Sequence, residues 1–96
     1  MITVSVHGYG GTYAADVNGH AGYAEHGKDI VCAGITALAA ALNGFAEKET
    51  VRVGNGCYHA VIDAKNALAV RMFENGVREI ERMYPAHVKF IKQEDF

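Results

Sequence analysis

The 96 residues are half apolar, with 9 basic and 11 acidic side chains and a formal net charge of −2. That size and apolar content suit one independently folding domain over residues 1–96, and the charge balance, with no Lys/Arg run, argues against a nucleic-acid surface. No apolar run reaches membrane-spanning length, MITVSVHG lacks the basic and apolar segments of a signal peptide, and only two cysteines are present, so a cytoplasmic protein with reduced thiols is expected.

Met1 to His7 alternates Ile2, Val4 and Val6 with Thr3 and Ser5, the period of a strand. Gly8, Gly10 and Gly11 make a turn. Tyr13, Ala15 and Val17 then alternate with Ala14, Asp16 and Asn18, so a hairpin is predicted that closes near Gly19-His20. A loop with Gly22, His26 and Gly27 follows, and Asp29 stands as the N-cap of a helix. Behind it Val31, Ile35, Leu38, Leu42 and Phe45 form a helical stripe flanked by alanines, which allow close approach of neighbours.

Thr50 to Val53 and Cys57 to Ile62 are strand-like around the turn Gly54-Asn55-Gly56. Asp63 is placed to cap a second helix with the stripe Phe73, Val77, Ile80 and Tyr84 and an i,i+4 pair of Glu74 with Arg78. Gly76 weakens its middle, and Pro85 stops it. His87 to Lys92 reads as a last strand. The order ββαββαβ predicts a single small α+β domain, a mixed or antiparallel sheet with two helices packed on one face.

With Asp29 as cap, Cys32 is the third helical residue. Backbone N–H groups there lack intrahelical partners, and the helix end carries partial positive charge, so a thiolate is favoured. A nucleophilic cysteine also needs a base, and His20, at the end of a strand, is the natural one. N–H groups near Cys32 could serve an oxyanion. The competing reading is a small cysteine buried in an alanine-rich helix. Asp29 either orients His20 or only caps the helix, and the cap is favoured. Gly22 and Gly27 would let the loop move over bound peptide, and His26 reads as a solvated loop residue. His20, His26, Cys32 and Cys57 match no common zinc spacing, so no metal or other cofactor is expected. GYGG at 8–11 precedes a strand rather than a helix and makes a poor phosphate cradle. His7, His59 and His87 lie in strand-like stretches and need no function. Cys57 opens an apolar strand, where burial would leave it inert.

The segment GHAGYAEHGKDIVCAGITAL resembles the signature of the ribosomal-processing cysteine protease (Prp) family: Gly-His-Ala, a short glycine-containing loop, then Asp-Ile-Val-Cys-Ala. The opening ITV, the late Tyr84-Pro85 and the closing VKF are similar in order and position. The resemblance implies a cysteine endopeptidase and homodimer that trims an N-terminal extension from a large-subunit ribosomal protein of the bL27 type, with His20 and Cys32 as the catalytic pair. Its substrate partner would be that protein, with no direct contact to nucleic acid or membrane. Thr36 stands where the family usually has Ser, and Gly34 where it often has Ala. Thr36 lies four residues beyond Cys32 and so shares its helix face. The alternatives are a phage or mobile-element relative that processes a different protein, and a non-catalytic dimeric binding protein of the same fold.

Overall fold

The structure is a computed structural model that describes residues 1–25 and 27–95. Five strands and two helices follow the predicted order: β1 (Ile2–Tyr9), β2 (Thr12–Asn18), α1 (Ile30–Asn43), β3 (Arg52–Gly54), β4 (Cys57–Asp63), α2 (Ala67–Met83) and β5 (Val88–Asp95). The sheet runs β3-β4-β2-β1-β5. Its first three pairings are antiparallel, and β5 lies parallel to β1, with Ile2 opposite Val88. The chain therefore crosses from β4 over β2 and β1, by way of α2, to reach the far edge.

Alternation decides which face is covered. The register sets Tyr58, Val17, Val4 and Phe90 in one row across the sheet, and Ala60, Ala15 and Val6 in the next. These side chains meet Val31, Ile35 and Leu42 of α1 and Val70, Phe73 and Val77 of α2 in one core. Full burial of a Val or Ile side chain contributes about 1.5–3 kcal/mol, so this layer holds the helices to the sheet. The opposite face is polar and carries the cross-strand pairs His59–Asp16 (2.7 Å) and His7–Asp95 (3.0 Å). Their half-exposed side chains add little by comparison.

The helices touch where glycine removes a side chain. A Cβ at Gly34 would lie 3.0 Å from Ile80 Cδ1, and one at Gly76 would lie 2.6 Å from Leu38 Cδ2. Gly76 is thus the seam between the helices. Alanine there would gain helix propensity but collide with Leu38.

Several local expectations change. Ala39 is buried in place of Leu38, which is only partly covered, and Phe45 lies past the end of α1, 51 % exposed. Thr50 belongs to a 3₁₀ turn, Lys48–Thr50, because its hydroxyl donates to the Glu47 carbonyl and accepts the Val61 N–H. That shortens β3 at its start. Asp63 caps a 3₁₀ turn, Ala64–Asn66, through the Lys65 N–H, and this turn leads into α2. Glu74 does not pair with Arg78. It is buried at 4 % exposure and takes Lys92 Nζ of β5 at 3.1 Å, while the Arg78 guanidinium sits 5.1 Å over the Phe90 ring. The Glu74 carboxylate holds the Lys92 ammonium above its usual range. Glu81 adds a second tie by accepting the Phe90 N–H at 2.7 Å. Among the described residues, no helix is long and apolar enough to cross a membrane.

Candidate active site

The site is built where β2 ends. Asn18 is the last paired residue, opposite Cys57, and the Gly19 N–H donates to the Gly56 carbonyl at 2.8 Å. At Gly19, φ is +94° and a Cβ would collide with the Met1 carbonyl oxygen, so only glycine turns the chain there. The turn delivers His20 onto the β3–β4 connection. At Gly56, φ is +72° and a Cβ would lie 2.8 Å from His20 Nε2. The imidazole packs flush on that backbone, and two glycines fix its position.

The other half of the site is the start of α1. Asp29 caps the helix: Oδ1 accepts the Val31 and Cys32 N–H groups at 3.0 and 2.9 Å. Its Oδ2 accepts from the Tyr23 and Ala24 N–H groups at 3.0 and 3.4 Å. The Cys32 N–H, opposed by burial and helped by those of Ala24, Tyr23 and Val31, holds the Asp29 carboxyl below its usual range. One carboxylate thus organises both the helix end and the loop before it, which tethers the loop at Tyr23 and Ala24. The Ala33 N–H goes to the Asp29 carbonyl at 3.0 Å. The N–H groups of residues 31–33 are therefore all engaged in this conformation, and the oxyanion donors expected beside Cys32 are occupied.

Cys32 is half-buried, and its Sγ accepts the buried Ala21 N–H at 3.3 Å. Ala21 follows His20 directly, so this contact joins the strand end to the helix start. Both His20 and Cys32 line one groove of about 1170 Å³, and Gly22, Gly27, Asp29 and Thr36 line it too. His26 lies outside the described residues. Tyr58 and Val53 form the facing wall; the Tyr58 hydroxyl donates to Asn43 Oδ1, and burial pushes the Tyr58 phenol above its usual range.

Cys57 departs from its expected burial. It is exposed, because its position opposite Asn18 puts it on the uncovered face at the sheet's end, and it also lines the groove. Among the described residues, no three His, Cys, Asp or Glu side chains gather as a metal site. The reading by sequence pattern missed Gly19, Ala21 and Gly56. The signals were a glycine directly before the candidate base and a Gly-Asn-Gly turn directly before the second cysteine.

The family model for cysteine protease Prp matches residues 1–89. The chain belongs to this family. The resemblance read from Asp29-Ile30-Val31-Cys32-Ala33 is borne out, and with it the assignment as a cysteine protease, a hydrolase. No curated protein matches the chain. Among solved structures, the essential ribosomal processing protease Prp from S. aureus, in complex with a covalently linked product peptide, is 25 % identical with a TM-score of 0.79. That comparison covers 96 % of this chain and 99 % of the other. SMU.848 from Streptococcus mutans shares the fold at 24 % identity and a TM-score of 0.73, over 99 % of this chain and 96 % of that one. The S. aureus protease with a substrate peptide also shares it, at 24 % identity and a TM-score of 0.72, over 96 % and 99 %. The predicted ββαββαβ fold is therefore that of Prp structures along nearly the whole chain.

Proposed function

We propose that this protein is an endopeptidase that uses Cys32 as nucleophile and His20 as general base and acid to trim an N-terminal extension from a large-subunit ribosomal protein of the bL27 type. The observation that carries the reading is the Ala21 N–H on Cys32 Sγ, at the mouth of a groove that His20 also lines. Kinship with the S. aureus ribosomal processing protease, crystallised with a covalently linked product peptide, supports both the covalent route and the substrate class.

In this mechanism His20 takes the Cys32 proton, and the thiolate attacks the scissile carbonyl carbon. A C–S bond forms and the carbonyl π electrons move to oxygen. As the C–N bond breaks, His20 returns the proton to the leaving amine. Water, deprotonated by His20, then hydrolyses the thioester and releases the acid and the free thiol. Asp29 acts as cap and loop tether, since its two oxygens already accept four backbone N–H groups. Thr36, one turn along α1, offers a hydroxyl to bound peptide, and Gly22 and Gly27 are hinges that let the loop close over it. The enzyme acts as a homodimer in the cytoplasm, where the thiols stay reduced.

The test is cleavage of a peptide spanning the processing junction. Cys32→Ala and His20→Ala are expected to abolish turnover while circular dichroism remains native. Near wild-type turnover in either variant overturns the assignment, and a wild-type protein that binds the peptide without cleaving it points to the binding-protein alternative.

A further inference from the structure

Among the described residues, His87 is the one histidine outside the groove that reaches into the site. It lies between the end of α2 and β5, in a stretch whose pattern asked for no function. Its backbone is pinned on both sides: its N–H donates to the Tyr84 carbonyl at 2.9 Å, and its carbonyl accepts the Ile2 N–H at 2.9 Å. Its half-buried side chain crosses 66 positions of sequence to place Nδ1 2.9 Å from the Ala21 carbonyl oxygen. A carbonyl only accepts, so Nδ1 must carry the proton. Ala21 is 2 % exposed, and its N–H is the one on Cys32 Sγ. One residue is therefore gripped at both polar groups, its carbonyl by His87 and its N–H by the nucleophile. The Tyr23 ring adds to the grip. It packs edge-on to His87 at 5.4 Å and edge-on to Tyr84 at 5.2 Å, while Asp29 holds its N–H.

We infer that His87 is a positioning residue for the protease centre: by donating Nδ1–H to the Ala21 carbonyl it aims the Ala21 N–H at Cys32 Sγ and fixes the chain that carries His20. The inference rests on the proposed Cys32–His20 chemistry and adds a second histidine to it, one that touches neither substrate nor sulfur. Two of its contacts can be separated by substitution. Asn keeps a short N–H donor but no ring, whereas Phe keeps the ring against Tyr23 but has no donor.

The experiment measures the rate at which iodoacetamide alkylates Cys32 at fixed neutral pH, with no peptide present, in wild type, His87→Asn, His87→Phe and His87→Ala. Peptide mapping reads the site, and kcat and KM for the junction peptide are measured on the same samples. Expected are a loss of about ten-fold in alkylation rate and kcat for His87→Phe and His87→Ala with KM nearly unchanged, and rates within about two-fold of wild type for His87→Asn. Wild-type rates in His87→Phe, or rates in His87→Asn as low as in His87→Phe, overturn the inference. Should His87→Phe fail to fold, the gap between His87→Asn and His87→Ala decides it in the same way. A wild-type protein that cleaves no peptide counts against the proposed function instead, because the alkylation series reads the Ala21–Cys32 geometry without a substrate.

Discussion

The two cysteines open onto one groove and sit in opposite environments. Cys57, at the first position of β4, is the more exposed, and among the described residues no hydrogen bond reaches its sulfur. Cys32 is half-buried at the first turn of α1, with the Ala21 N–H on its Sγ and the imidazole-bearing residue next along the chain. Access favours Cys57, whereas the backbone donor and the helix N-terminus belong to Cys32. The difference teaches that, under the proposed chemistry, a nucleophile is made by what surrounds the sulfur, and that partial cover is part of the making, since a donor can approach only where backbone closes in.

The sharpest way to break this comparison is to let the thiols compete. With substoichiometric iodoacetamide near neutral pH, Cys32 is expected to be labelled at least about ten-fold faster than Cys57 despite its cover, with activity lost in proportion to the label. Faster labelling of Cys57 would show exposure to be the deciding factor. A finer test uses the glycines that border each thiol's neighbourhood. Gly56→Ala forces a methyl group against His20 Nε2 at a positive φ, so kcat should fall about ten-fold or more and Cys32 labelling should slow. Gly54→Ala instead meets Cys57 Sγ at 2.8 Å, and it should alter the labelling rate of Cys57 and leave that of Cys32 unchanged.

The smallest effect concerns Asp29, which supports only the Cys32 side. Its carboxyl binds a proton less readily in the folded protein than in the unfolded chain. The stability it contributes is therefore complete above pH ~4 and fades as the pH falls through and below that value. Asn also caps helices but does not titrate here. The thermal unfolding midpoint of Asp29→Asn is expected to change less between pH ~6 and ~3 than that of the native protein, by about a few degrees. Parallel loss in both would assign the acid sensitivity to other carboxylates.

Much of this was legible because the deciding signals are local. Period-two alternation marked β1 and β2, the stripe from Val31 marked α1, and an Asp before an apolar run marked the cap on which Cys32 depends. What the pattern could not show depends on distant partners. Glu74 reads as the natural mate of Arg78 one helical turn away, but Lys92 points to the same face of β5 and draws the carboxylate inward. Thr50 reads as strand until the Val61 N–H claims its hydroxyl. His87 looks inert in a short strand-like stretch, since only the parallel pairing of β5 with β1 brings it to Ala21. That Cys57 is exposed follows from register against Asn18, which composition cannot reveal.

The pairing of β1 with β5 also governs when the protein can come into being during synthesis. β1 finds β2 within a few residues, but its other edge waits for the last of the described strands, 86 positions downstream from Ile2 to Val88. Contacts so far apart in sequence are slow to form and cannot begin on a nascent chain whose end is still inside the ribosome. Cys32 and His20 emerge early, yet the grip on Ala21 needs His87, which emerges late. A chain from which β5 has not yet emerged therefore lacks both the second edge of β1 and the contact of His87 with Ala21.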